Sequence, residues 1–552
     1  MVVAAAIAFL AIVSTCSAEW DYIVVGAGAS GCASAGGLAE DGSSVLVVEA
    51  GAPTTWDFGG RIQQEYFTKF GGDTDVTVFD VPGEALGIQS MDGYWWDTIP
   101  WGAQGKGVGG SGAMNLALAF QPSPDDFDDW PPGWQYPDMQ PFFEEVIEAT
   151  SVSATPSTDG KLYNQAVGDV LDRVATNQLG FEKKPLNEDV GARGNTTSLA
   201  EFYIKGGQRF ESCLAFLLPS INSGANLKLM TGSMVSRIIF DKVGQASGVQ
   251  LEDGTEIMLN GGGKLVLAAG PFNTPKLLMY SGIGPASELE RLDMGGMVEN
   301  SKDFWVANEE LGISMHDHVL SVMQIKAPDD GTNYLRNLND VEAQSDYFNE
   351  RTNALTQSGV VRMAFLSKPG LSVPAIEIAA MDVTFGGPFP IENCASCFEV
   401  FILPLKPASR GDFQIKTDGE DCGCGGQTCK AGDFCMPEMY LSTQGDVEEL
   451  VWAIKTVGDA FEEEGFEVLT PGSVDEAGIR SYIESDPRSK FNARHYAGSC
   501  ALGRCTDADL KVEGTENVFV VDSSVFPTPV RAHNVLTAIT VGRKAVGHIK
   551  SA

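Results

Sequence analysis

Residues 21–51 read DYIVVGAGASGCASAGGLAEDGSSVLVVEAG, and this stretch decides the fold. Tyr22, Ile23, Val24 and Val25 form an unbroken apolar run, the pattern of a parallel strand covered on both faces. Gly26, Gly28 and Gly31 follow at GxGxxG spacing and open an Ala/Gly-rich helix that runs to about Leu38. A second apolar run, Val45 to Val48, ends in Glu49. In such a unit the first glycine makes the tight turn, the second lets the backbone approach a pyrophosphate, and the third brings helix and strand together. The helix start offers unpaired N–H groups and a positive dipole end to phosphates. An acid at the tip of the second strand binds ribose hydroxyls and repels a 2′-phosphate. Strand, glycines, helix, strand and acid agree, so the stretch predicts dinucleotide binding. Its spacing leaves both NAD and FAD open.

A chain of 552 residues can hold two sizeable domains with a large core. Its 37 basic and 74 acidic residues leave a net charge of −37, which argues against nucleic acid and anionic membranes as partners. The acidic surface reads as a solubilising coat. Residues 1–18, MVVAAAIAFLAIVSTCSA, are apolar and uncharged, with small residues before Glu19. They read as a secretory signal peptide cut after Ala18, its apolar region too short for a comfortable membrane span. The mature chain is therefore expected to be secreted, with no membrane span. Asn195, Thr196 and Thr197 form a possible glycosylation sequon in that setting.

Of eleven cysteines, Cys16 leaves with the signal. Cys394, Cys397, Cys422, Cys424, Cys429 and Cys435 crowd a Cys-rich loop over residues 394–435, Cys500 and Cys505 form a local pair, and Cys32 and Cys213 stand apart. No histidine lies near the cluster and the spacing fits no zinc finger, so disulfides of open connectivity are the expectation. Cys32, on the nucleotide-binding helix, is expected to be a small packed residue.

Farther along, residues 105–115 form a second glycine cluster, GKGVGGSGAMN, preceded by the aromatic run Tyr94, Trp95 and Trp96. A backbone this lean suits close packing against a flat ring system or a pyrophosphate. Residues 264–284 read as strand, turn and helix. Residues 233–241 and 248–251 read as hairpin strands around a turn at 252–254. Residues 446–464 place Val447, Leu450, Val451, Ile454, Val457 and Phe461 at helical spacing, an amphipathic core helix. His495 and His533, judged by spacing alone, are structural residues.

Four separated blocks resemble the glucose–methanol–choline (GMC) family of flavin oxidoreductases: the 21–51 unit, residues 105–115 with Asp128, residues 270–284, and the C-terminal region with His495 and residues 522–544. The resemblance implies an α/β (α+β overall) fold with a Rossmann-like FAD-binding domain and an interleaved substrate-binding domain built on an antiparallel sheet. Residues 19–150, 205–300 and 485–552 would form the first domain, and residues 151–204 and 301–484 the second. By position, Gly26, Gly28, Gly31 and Glu49 would bind the ADP part of FAD. Gly109, Gly110 and Asn115 would lie near the pyrophosphate and isoalloxazine, Val235 near the adenine, and Asp522 near the ribityl chain. His495 falls on the family's catalytic histidine and His533 on its second active-site position. Met114 stands where some relatives carry a histidine bonded to FAD, which implies a non-covalent cofactor; no metal is expected.

The implied reaction is oxidation of a small-molecule alcohol to an aldehyde or ketone. His495 takes the hydroxyl proton, a hydride passes to flavin N5, and oxygen or another acceptor reoxidises the flavin. The alternative within the same family is an FAD-containing hydroxynitrile lyase, which uses a matching histidine without net redox turnover. The photodecarboxylase branch is disfavoured, because its functional cysteine would align with Leu405. Arg531, two residues before His533, is read either as a partner for a substrate carboxylate or, equally, as a surface or backbone-bonding arginine. His316 and His318 are expected to be structural rather than metal ligands.

Overall fold

The strand Trp20–Val25 lies between two parallel neighbours, Val45–Val48 on one side and Glu256–Leu267 on the other. Leu227–Met230 extends the sheet beyond Val45–Val48, and Val518–Val520 extends it beyond Glu256–Leu267. Ile23, Val24, Val47, Leu265 and Val266 are fully buried, as the continuous apolar runs require of strands covered on both faces. The computed structural model describes residues 19–70, 75–96, 104–328, 334, 340–382, 394, 396–417, 430, 432–435 and 439–552. Residues 1–18, expected from the sequence to be a signal peptide, and the cysteines Cys422, Cys424 and Cys429 lie outside them.

The helix Ala29–Leu38 packs against the C-terminal helix Asn534–Ser551, and Ser34 Oγ donates to the Gly542 carbonyl at 3.0 Å. Glu256–Leu267 continues past the parallel set and pairs antiparallel with Gln245–Leu251, which pairs in turn with Val235–Lys242. This corrects the expected hairpin. Val235–Lys242 and Gln245–Leu251 are joined through Val243 and Gly244, where Gly244 adopts φ +73°, and the turn at 252–254 leads into the third strand instead.

A second sheet runs in the order Glu467–Thr470, Val319–Lys326, Cys397–Pro404, Ile376–Asp382, Val360–Leu366, Thr196–Leu199 and Glu182–Lys183. Its strands alternate with period two. Phe398, Val400 and Ile402 join a cluster with Leu450, Ile454 and Phe461 of the helix Gln444–Glu463, while Phe401 and Leu403 face the other way. In Ile376–Asp382 the same alternation puts Ile376, Ile378 and Ala380 under the helices, and Glu377, Ala379 and Met381 on the opposite face. Phe491–Asn492, from the segment assigned to the FAD-binding domain, pairs with Val319–Lys326 of this second sheet.

Disulfides join Cys394 to Cys397 and Cys500 to Cys505. Cys32 is not the lone packed residue expected of it. It bonds Cys213 across 181 residues and ties the helix Ala29–Leu38 to the short turn Cys213–Leu217 in a fully buried seam. Among the described residues no helix is long and apolar enough to cross a membrane.

Gly31 is the tightest joint of the nucleotide-binding unit. A Cβ there would collide with the Gly26 carbonyl oxygen and stand 3.0 Å from the Ala268 Cβ. Gly31→Ala is expected to destabilise the protein by about 1–3 kcal/mol and to lower its flavin content, checked by urea unfolding and by the visible-to-ultraviolet absorbance ratio.

Candidate active site

A cavity of about 670 Å³ lies between the strand tips of the first sheet and the face of the second that carries Glu377, Met381 and Leu403. Gly26, Gly28, Glu49, Gly110, Asn115, Val235, Asp522, His495 and His533 all stand on its wall. Gly31 and Gly109 stand behind it. Gly31 acts through helix–turn packing. The Gly109 N–H donates to the Ala27 carbonyl at 2.7 Å, and a Cβ at Gly109 would meet Ala113 and Glu211. Gly109 therefore supports the turn that carries Gly110 on the wall.

At one end the two glycine clusters meet backbone to backbone. A Cβ on Gly110 would lie 3.0 Å from the Gly28 Cα, and Gly109 and Gly110 hold φ values of +94° and +52°. No side chain caps the helix that begins after Gly28, so its first N–H groups remain for an anion. Glu49 accepts hydrogen bonds from the Ala27 and Gly51 N–H groups, each at 2.8 Å, which fix its carboxylate at the strand tip. Burial pushes its pKa up, opposed by those backbone donors. Asp522 Oδ2 accepts from the Gly270 N–H at 2.9 Å and from Thr274 Oγ1 at 2.6 Å, while Oδ1 accepts from the Ser524 N–H at 2.8 Å. It ties the helix Gly270–Tyr280 to the turn after Val518–Val520. Asn115 Oδ1 accepts from the Ala117 N–H at 2.8 Å, from Arg209 Nη1 at 3.1 Å and from the Tyr203 hydroxyl, which leaves its amide NH₂ as the available donor. Lean backbone, a bare helix start and an anchored strand-tip acid fit the pyrophosphate and ribose of FAD. Met114, fully buried on the same wall, carries no nucleophile that would bond a flavin.

At the other end the rings of His495 and His533 lie with centroids 4.4 Å apart. His318, which the sequence suggested only as structural, completes the group. Its Nε2 lies 2.9 Å from the Leu405 carbonyl oxygen and its Nδ1 lies 2.9 Å from Nδ1 of His495. A carbonyl only accepts, so His318 Nε2 carries a proton. Burial lowers the His318 pKa to about 4, so at neutral pH that is the ring's one proton and Nδ1 is an acceptor. His495 therefore donates from Nδ1. Burial, and after it the neighbouring imidazoles of His533 and His318, hold His495 well below the ordinary histidine value. A neutral His495 with its proton on Nδ1 has a bare lone pair on Nε2. Behind it, Asp317 accepts from the His495 backbone N–H and from the Tyr440 hydroxyl, both at 2.6 Å.

His533 has a carboxylate partner that sequence reasoning missed: its Nε2 lies 3.0 Å from Glu377 Oε1. The only signal for Glu377 was an acid inside an otherwise apolar strand. Arg531 does not reach the cavity. Its Nη1 pairs with Asp125 at 3.0 Å and with Asp126 at 2.6 Å, so the cation is consumed by the acidic run after the second glycine cluster. Among the described residues no group of three or more His, Cys, Asp or Glu is placed to hold a metal ion.

Comparison with known proteins places the same features in a family. Models of the GMC oxidoreductase family match residues 20–320 and 433–542. Oxygen-dependent choline dehydrogenases from Rhizobium etli and Brucella anthropi are 27% and 26% identical, each over 96% of this chain and 95% of the relative. Among solved structures, a formate oxidase superposes with a TM-score of 0.75 at 19% identity, covering 97% of this chain and 98% of that one. Pyridoxine 4-oxidase from Mesorbium loti gives 0.71 at 19% identity, covering 97% and 100%.

The neutral His318 has a pH consequence. A histidine with a depressed folded pKa stabilises fully above its unfolded value of about 6.5 and loses that contribution as pH falls towards the folded value. Buried Asp317, Glu211 and Glu399, each pushed up to about 7 by burial, act oppositely: their contribution is full at low pH and declines as pH rises towards 7. A difference measurement isolates the histidine. The stability advantage of wild type over His318→Phe, from urea titrations, is expected to be constant above about pH 6.5 and to shrink towards pH 4.

Proposed function

From the premise that this chain belongs to the GMC oxidoreductase family, as an FAD-dependent oxidoreductase acting on alcohol-type groups, we propose that it oxidises a small alcohol to the corresponding carbonyl compound with His495 as the base. The observation that carries this reading is that His495, on the wall of the cavity, meets His318 through Nδ1, which leaves the Nε2 of a neutral His495 bare. FAD, when bound, supplies the hydride acceptor.

The hydroxyl of the substrate donates to His495 Nε2, and the proton moves to that nitrogen as the C–H bonding pair leaves the carbinol carbon. The positive charge that His495 gains is shared along the hydrogen bond to His318. His533, its Nε2–H committed to Glu377, meets the substrate oxygen with Nδ1 and supports the negative charge that develops there. The helix Asn534–Ser551 begins beside it, with Asn534 and Val535 on the cavity wall, and its positive end favours negative charge in the same region. Leu118, Leu320, Val360, Met381, Phe401 and Leu403 also line the cavity and exclude water from the reacting atoms.

Gly26, Gly28, Glu49, Gly110, Asn115, Val235 and Asp522 are assigned to FAD, which is held without a covalent bond. Acid precipitation is expected to release the flavin into the supernatant; flavin retained by the pellet contradicts this. His495→Ala is expected to keep FAD but to slow anaerobic flavin reduction by about 10²–10⁴-fold, and full turnover in that variant rejects the base assignment.

Secretion belongs to the same proposal. The leader-like residues 1–18 support it, as do disulfides among the described residues, which persist in oxidising compartments. The protein recovered from its native source is expected to begin at Glu19 by N-terminal sequencing, and an intact Met1 start contradicts the assignment.

A further inference from the structure

Glu377 lies directly opposite Phe365 in the antiparallel pair of Ile376–Asp382 and Val360–Leu366. The two side chains therefore stand together on one face of the sheet. The guanidinium of Arg193 sits 5.2 Å from the centre of the Phe365 ring and 5.1 Å from that of Phe120. Phe120 in turn packs 5.1 Å from the His533 ring. Two phenylalanines thus hold a cation in the layer behind His533 and near Glu377, with no direct hydrogen bond or ion pair between guanidinium and carboxylate. Arg193 and Glu377 are each 3% exposed, so neither charge is neutralised by bulk water.

Glu377 uses Oε1 for His533, and its Oε2 is buried with no direct partner. Arg193 donates from Nε to the Leu186 carbonyl at 3.2 Å, while Nη1 and Nη2 are buried with no direct partner. The acids facing Arg193 are Glu377, Asp126 and Glu201, with the phenol of Tyr136 beside them. Asp126 is already paired with Arg531 and Lys406, and Glu201 accepts from Asn187 Nδ2 at 2.9 Å. Glu377 exerts the largest attraction on Arg193 and has the spare oxygen. The groups facing Glu377 besides Arg193 are the imidazoles of His533 and His318.

An isolated carboxyl group in such a place takes up a proton rather than remain charged. A protonated Glu377 would offer an O–H donor as well as an acceptor, and the proton on His533 would lose its fixed site. A guanidinium stays charged at neutral pH and is suited to a buried ion pair. We propose that Arg193 is a positioning residue for the active site: as buried counter-charge it keeps Glu377 ionised, and ionised Glu377 holds a proton on Nε2 of His533 and leaves Nδ1 to the substrate oxygen. The proposal rests on His533 meeting the substrate, but the ring proton is observable with no substrate present, so failure of alcohol oxidation would not be mistaken for failure of this link.

The chain has five histidines, so ¹⁵N-histidine-labelled holoenzyme gives a spectrum in which each ring is assigned by single substitution. Spectra are recorded between about pH 6 and about pH 9 for wild type, Arg193→Met, Arg193→Gln, Arg193→Lys and Glu377→Gln, the last mimicking the protonated acid. In wild type and Arg193→Lys, Nε2 of His533 is expected to remain in the protonated region throughout. In Arg193→Met and Arg193→Gln it is expected to match Glu377→Gln at the acid end and to return to the wild-type position as pH rises. Either neutral variant suffices if the other fails to fold. Wild-type signals in the neutral variants overturn the proposal, as does a Glu377→Gln spectrum identical to wild type. A change that Arg193→Lys shares, or one that does not reverse with pH, marks lost packing rather than lost charge and equally overturns it.

Discussion

The hydrogen bond from His318 Nε2 to the Leu405 carbonyl sets the chemical sense of the active site. Because the acceptor is a carbonyl, the direction of every bond behind it is determined: His318 accepts from His495, and His495 presents a bare nitrogen. The contact also joins three parts of the chain. Leu405 follows the strand Cys397–Pro404, His318 precedes Val319–Lys326, and His495 lies in the C-terminal segment that completes the first sheet. The register of the second sheet thus reaches the proton acceptor through one bond, and burial keeps both rings neutral enough for the arrangement to hold at neutral pH.

Opposite that neutral pair, His533 stands 3.0 Å from Glu377, with Arg193 in the layer behind, each on a different segment. One imidazole is buried against another imidazole and the other lies against a carboxylate, so two like residues 4.4 Å apart stand in unlike surroundings. At the far end of the cavity the binding features are mostly backbone. Glycines let two turns touch, and Glu49, Asp522 and Asn115 spend much of their hydrogen-bonding capacity on the protein itself. Their first task is to hold the wall in shape, as a pre-organised site demands.

The parts of this arrangement legible in the sequence are those encoded locally. Tyr22 to Val25 and Val45 to Val48 read as buried parallel strands because both of their faces are apolar, and the glycine spacing between them reports a turn that tolerates no side chain. The helix Gln444–Glu463 was readable from its apolar stripe to within two residues. The illegible parts depend on contacts between distant residues. His318 meets His495 across 177 residues and Cys32 meets Cys213 across 181, and neither partner carries a local mark of the other. Glu377 is illegible for a different reason: in an alternating strand, one acid fits a solvent-facing position as well as a buried one, and only the layer packed over that face decides between them. Arg531 was legible only as an open choice: it is near the active-site histidine in sequence, and the fold turns it towards Asp125 and Asp126.

The most direct test of the central claim, that a neutral His495 takes the proton of an alcohol whose hydride leaves with it, is anaerobic mixing of the holoenzyme with a panel of primary alcohols, each also supplied deuterated at the carbinol carbon. At least one alcohol is expected to bleach the visible flavin band, its deuterated form to bleach it more slowly, and His495→Ala to retain the flavin while slowing the bleaching about 10²–10⁴-fold. An unchanged flavin band with every alcohol, together with cleavage of mandelonitrile by the same preparation, would contradict it and identify a lyase.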